Sequence, residues 1–279
     1  MPWVISLFSG LQVIVTAIIA HAAYSFGRGI VQSRWGLMTA IASSGLLLAG
    51  VEPFVVIIAS AAAGAYFLRK EKHASETSGD NLKKYGTAKN ALLPLLFSFA
   101  ALLILSPSSH SLSQLAVTMF KVDLFAFGGG FASVPLMLHE IVTVRGWMDG
   151  KTFMDGIALG QITPGPIVIT TTFVGYVLYG FSGAVVATIA VFTPSLLILI
   201  AAAPVFERLR SSPHFQGAIK GTLASFVGLL LFVTFRFGTA VPWDIARVLL
   251  ACAALAALVK KTDILYVVLL GAAVSTVLF

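Results

Sequence analysis

The chain has 279 residues, 58% of them hydrophobic and only 10% charged, with a mean hydropathy of +0.97. This balance excludes a soluble domain with a wet surface and defines a membrane protein. The net charge of +7 would point to nucleic acid in a soluble domain, but here Lys and Arg fall mostly in short loops between apolar runs. There they act as topology signals and contacts to anionic lipid, and no groove-reading motif accompanies them.

The single cysteine, Cys252, permits no internal disulfide and no CxxC pair. The five histidines (His21, His73, His110, His139, His214) are scattered, without the i, i+4 spacing of a helical metal site. Neither a metal nor a cofactor is expected. No apolar run sits behind a basic leader ending in a small-residue cleavage site, so the first span is expected to remain in the mature protein.

A span needs about 20 apolar residues, fewer if it does not fully cross. The candidates are roughly 10–27, 36–50, 53–68, 91–105, 114–138, 157–179, 184–204, 216–236, 246–259 and 264–279. The expected fold is an all-α polytopic membrane helical bundle of about ten segments, several short or broken. Glu52-Pro53 interrupts the run from Gly36 to Leu68 with a charge and a residue lacking a backbone donor, which predicts a helical hairpin. Lys260-Lys261-Thr262-Asp263 splits the last apolar stretch in the same way.

Residues 1–68 shifted by 211 fall on 212–279 without a gap. Gly10 then meets Gly221, Phe26-Gly27 meets Phe237-Gly238, and Glu52 meets Asp263. Arg28 and Arg34 follow the first span of the leading copy, whereas Arg208 and Arg210 precede that of the trailing copy, whose turn carries Lys260 and Lys261. The positive-inside rule sets the copies upside down, with Arg236 and Arg247 voting against, and a partial inverted repeat is a transporter signature.

Between the copies, 69–90 holds the one long polar segment, whose Lys and Arg outnumber its acids six to three. It is expected to be a cytoplasmic linker without packed structure. From there 91–105 runs outward, 114–138 returns, and the segment with Arg145 and Lys151 is expected inside.

Two helix-breaking knots, Gly128-Gly129-Gly130 and Pro164-Gly165-Pro166, stand inside apolar sequence. Glycine costs a helix roughly 1 kcal/mol per residue against alanine, so such a run marks close packing or an opened helix. An opened helix presents free N–H groups and a positive dipole end, and two facing ends would suit a dianion. Gln161, Thr163, Thr170, Thr171 and Thr172 add polar side chains beside the second knot, as ligands or as caps on freed backbone.

Lys121 and Asp123 lie just before the glycines. Lys121 is expected to face an anion path, and Asp123 to pair with a cation elsewhere or carry a proton; the alternative is that both snorkel. Glu140, Arg145 and Asp155 are expected at the inner mouth as gating or steering charges, with Trp147 as an interfacial anchor. No Ser, His and acid set and no HExxH occurs, so no enzymatic activity is expected.

The runs FGGGFASVPLMLHEIV, RGWMDGKTFMDGIALGQITPGP and FVGYVLYGFSGAVVATIAVFTPS closely resemble the signature region of the chromate ion transporter family. The resemblance is strong over roughly 115–200 and weaker over 1–68 and 212–279. It carries over Gly128, Gly129, Gly130, Pro135, Glu140, Trp147, Phe153, Gln161, Pro164, Gly165, Pro166, Gly175, Gly180, Gly183 and Pro194. It implies a chromate exporter of the inner membrane that confers chromate resistance, with two homologous halves in long members. Residues 1–68 then read as the trailing part of a first half without its own knots, and 91–279 as a complete second half. Sulfate or another oxyanion is the rival substrate. A transport-inactive subunit is the rival role, and the expected partners are the anion, the bilayer, and a second copy or a partner half.

Overall fold

The computed structural model describes residues 2–31, 33–68, 110–126, 130–163, 165–202, 209 and 211–278. The linker 69–90, the expected span 91–105, and Gly128, Gly129 and Pro164 lie outside the described residues. Among the described residues every regular element is a helix: α1 (Pro2–Ile30), α2 (Arg34–Leu48), α3 (Pro53–Phe67), α4 (His110–Phe125), α5 (Gly130–Met137, running on as a π-helix over Leu138–Val144), α6 (Gly150–Ile162), α7 (Thr170–Ala202), α8 (Pro213–Ala240), α9 (Ile245–Val259) and α10 (Ile264–Leu278). A single 3₁₀ turn, Ile167–Ile169, precedes α7.

Local chemistry sets the boundaries. Ser33 caps α2 by accepting the Gly36 amide, and Pro53 opens α3, where a missing N–H costs nothing. Asp244 caps α9 by accepting the Arg247 amide. The hairpins expected at Glu52-Pro53 and at Lys260–Asp263 both form. Among the described residues three stretches are long and apolar enough to cross a membrane: Ser6–Ile30, Ile167–Ile200 and Pro213–Ala240.

The second of these is not one rod. Tyr179 and Gly180 leave the helical region, Gly180 with φ of 63°, and the Thr172 and Thr188 hydroxyls meet at 2.7 Å. Sixteen residues of straight helix would separate them by about 24 Å. The chain therefore reverses between arms 170–178 and 181–202, which accounts for the separate candidates 157–179 and 184–204. A Cβ on Gly175 would overlap the Gly183 carbonyl, so the arms lie backbone to backbone.

The segment 114–138 does not cross in a single pass. Lys121 Nζ lies 2.8 Å from Glu140 Oε1, whereas 19 residues of helix would hold them about 28 Å apart. The chain folds back between α4 and α5. Consequently residues 145–153 return to the end from which α4 came. Phe153 meets Phe237 near the carboxy-terminal end of α8, whereas His214, at its amino-terminal end, lies against the carbonyl of Ala65 in α3. The loop with Arg145 and Lys151 thus stands at the opposite end from the exit of α3 toward the linker, not at the same end. Sequence alone missed this because an apolar run interrupted by glycines has the same composition whether it crosses or turns back.

Gln12 and Phe237 both reach α6, at Asp155 and Phe153, while Phe26, Ile30, Leu223 and Phe226 gather around Ala132 of α5. Hence α1 and α8 run antiparallel. Each packs against the other's following hairpin, α1 on α9 and α10, and α8 on α2 and α3. Glycines permit the approach: a Cβ on Gly221 would overlap the Ser60 carbonyl oxygen and lie 2.8 Å from the Gly64 Cα. Close backbone packing and dispersion carry this association, because lipid tails remove the hydrophobic drive between helices. Adding 211 to the bounds of α2 and α3 gives 245–259 and 264–278, the bounds of α9 and α10.

Candidate functional site: two hairpin tips

Two helical hairpins stand side by side. In the first, α4 descends to Phe125 and α5 leaves from Gly130. Pro135 removes a backbone donor inside α5. Beyond it the helix widens to a π turn in which the Arg145 amide reaches the Glu140 carbonyl at 3.1 Å; such turns are frequent at functional sites. In the second hairpin, α6 begins at Asp149, whose Oδ1 accepts the amides of Lys151 and Thr152 at 2.8 and 2.9 Å. The Thr152 amide, then its hydroxyl, hold the Asp149 carboxyl below the ordinary carboxylate range. The hairpin closes tightly: a Cβ on Gly156 would run into the Phe173 ring, and one on Gly160 would lie 3.1 Å from Thr170 Oγ1.

The tips meet. A methyl group on Gly130 would lie 3.0 Å from Ile167 Cγ2 and 3.6 Å from the Ile167 amide nitrogen. The amino-terminal end of α5 is thus beside the amino-terminal end of the turn that leads into α7. First-turn amides have no intrahelical partner, so two partly positive ends converge here. Thr163, Gly165 and Pro166 are exposed, and a Cβ on Gly165 would meet nothing within 4 Å. The Gln161 Nε2 is buried and has no hydrogen-bond partner among the described residues.

The threonines mostly cap freed backbone. Thr163 donates to the Leu159 carbonyl at 3.2 Å, Thr170 to Ile167 at 2.8 Å and Thr171 to Val168 at 2.9 Å. Asp123 is tied to α7: its Oδ2 accepts the Ser195 amide at 2.8 Å and the Ser195 hydroxyl at 2.6 Å, directly after Pro194 in the helix. Asp155 accepts from Gln12 Nε2 at 2.9 Å, joining α6 to α1.

Glu140 is only 3% exposed. It binds Lys121 at 2.8 Å and lies 3.8 Å from Arg145 Nε, so one buried carboxylate gathers two of the expected site cations. Lys121 also stands 3.9 Å over the Phe54 ring, and Arg145 4.8 Å over that of Trp147. His139 lies 4.0 Å from Glu52, and Glu52, His139 and Glu140 bring ligand atoms within 4.8 Å of one another. The two cations already on Glu140 oppose a dication at that cluster. Ser195, Gln12, Glu52, Phe54 and His139 escaped sequence reasoning as site neighbours, since no spacing links them. The adjacency of His139 and Glu140 in an apolar run was the available signal.

Interrupted helices in an apolar bundle define a polytopic membrane protein. The chromate transporter profile matches residues 113–276, which cover both hairpins and α8 to α10. The chain is 40% identical to an uncharacterized transporter of Methanocaldococcus jannaschii over 97% of its length and 68% of that protein. It is 30% identical to a probable chromate transport protein of Synechococcus elongatus over 82% of its length and 56% of that protein. To the chromate transport protein of Cupriavidus metallidurans it is 36% identical over 53% of its length and 37% of that protein. This chain belongs to the chromate transporter family. No solved structure matches it.

Proposed function

We propose that the chain carries chromate, a tetrahedral dianion, across the inner membrane, with the anion held between the tips at Gly128–Gly130 and Pro164–Pro166. The observation that carries this reading is the convergence of the amino-terminal ends at Gly130 and Ile167, within the residues that the chromate transporter profile matches. Two dipole ends provide N–H donors and positive potential without a full charge to be desolvated, so the anion is stabilised yet free to leave. Gln161, with an unsatisfied amide nitrogen, supplies a further donor. Lys121 adds attraction near the tips, while Glu140 holds it and Arg145 in place; loosening either cation gates the path.

Export is the direction an inner-negative potential favours, by about 2.3 kcal/mol per charge per 100 mV. Matching helix bounds at a shift of 211, antiparallel α1 and α8, and the exchange of hairpins support a partial inverted repeat, the architecture of alternating access. In that reading residues 1–68 are the trailing part of a first half and 91–279 a second half. A partner half or second copy then supplies a first pair of tips.

The test is accumulation of radiolabelled chromate by energised inverted vesicles containing this chain, with sulfate as competitor. Accumulation lost in Gly165→Leu is expected, because the leucine enters open space at the tip without disturbing packing. Folded, inserted protein that accumulates no chromate would overturn transport by this chain alone, and full competition by sulfate would make the substrate class oxyanions in general.

A further inference from the structure

We propose that a cleft between α1 and the α9–α10 turn binds the phosphate group of an anionic phospholipid. It measures about 390 Å³ and is lined by His21, Tyr24, Ser25, Arg28, Lys261 and Thr262, with an apolar wall of Leu258, Val259 and Ile264. The lining brings together two permanent cations, an imidazole and three hydroxyls, and no carboxylate. Arg28 Nη1 donates to the Tyr24 hydroxyl at 3.4 Å, so the guanidinium is steered along the cleft. The nearby Asp263 is engaged at the start of α10, where its Oδ1 accepts the Leu265 amide at 2.9 Å.

The second observation is conformational. Lys261 has φ of 64°, the one positive φ of a non-glycine among the described residues. At the position 211 earlier, the matching turn places Gly50, with φ of 87°. Left-handed backbone suits glycine and strains a residue with a Cβ. The helix end sets this conformation, with the Lys261 amide on the Leu258 carbonyl and the Thr262 amide on the Ala257 carbonyl, so a lysine is held at the edge of the cleft in the place that a glycine commonly takes.

At the positions 211 later in the sequence, Phe232, Phe235, Arg236 and Thr239 replace His21, Tyr24, Ser25 and Arg28, so the polar set is particular to the end of α1. With the 69–90 linker in the cytoplasm, that end faces the anionic cytoplasmic leaflet. The apolar wall beside the cations fits a phosphodiester with acyl chains better than a free oxyanion.

The test uses the full chain in nanodiscs of phosphatidylcholine, with or without phosphatidylglycerol, and in detergent with inorganic phosphate. Phosphatidylglycerol is expected to raise the thermal midpoint and to be retained in native mass spectrometry. Lys261→Gly, which relieves the backbone strain and so does not threaten folding, should weaken retention about tenfold, as loss of one charge-assisted contact would. Lys260→Gln, removing an equal charge that does not line the cleft, should leave retention unchanged. A shift with inorganic phosphate alone that Lys261→Gly abolishes would keep the site and assign it to free oxyanions. Retention unaffected by Lys261→Gly, or equally reduced by Lys260→Gln, would overturn the proposal. None of these readouts involves chromate, so they stand apart from the transport assay.

Discussion

Glu140 gathers two cations around one buried carboxylate. It is buried with Lys121 at 2.8 Å, but Lys121 remains 39% exposed, so partial solvation softens the loss when the pair is broken. Glu140→Ala should destabilise the protein by about 2 kcal/mol, less than the 3–5 of a fully buried pair. A double-mutant cycle of Glu140→Gln with Lys121→Met should show coupling, and additive effects would refute the pair. Asp149 acts at the other end of the same hairpin system. Asp149→Ala should cost about 1 kcal/mol through the lost cap. Its carboxyl is held below the ordinary range, so its contribution is complete above that range and disappears as pH falls through the depressed folded value. The difference in thermal midpoint between wild type and Asp149→Ala should therefore shrink in acid; a constant difference would refute the charge-assisted cap.

At the scale of elements, the packing of α8 on α3 rests on Gly64 and Gly221. A leucine at Gly221 has no space against the Ser60 carbonyl and should cost about 1–3 kcal/mol or more by forcing the helices apart. Gly165→Leu, with nothing within 4 Å of the new Cβ, should leave stability within about 0.5 kcal/mol of wild type. Comparing the two by thermal unfolding separates a glycine required for packing from one that stands in open space. The hairpin turns at Glu52-Pro53 and Lys260–Asp263 were legible in sequence because proline and charge cannot continue an apolar helix. The fold-back of α4 onto α5 was not legible, because it depends on the meeting of Lys121 with Glu140 across a break of unspecified angle.

For the whole molecule, antiparallel α1 and α8 with exchanged hairpins make the bundle pseudo-symmetric about their crossing. In a background with Cys252→Ala, Lys151→Cys and Ser211→Cys should react with an impermeant thiol reagent from opposite sides of the membrane. Labelling of both from one side would refute the fold-back of both hairpins. Arg247, which counts against the charge-based orientation, is paired with Asp244 and bonded to Ser9, so its charge is locally offset.

Sequence by itself determined the membrane class, the hairpin turns and the spacing of 211 at which the bounds of two helix pairs match, since each follows from local hydropathy, backbone chemistry or spacing along the chain. Only the tertiary structure decided that Gly130 lies against Ile167 and that Asp123 ties α4 to Ser195. It likewise decided that Glu140 gathers two cations and that Lys261, at the left-handed end of α9, lines a polar cleft. Those features depend on which way the chain turns after each break and on contacts across tens of residues, and neither composition nor periodicity encodes a turning direction.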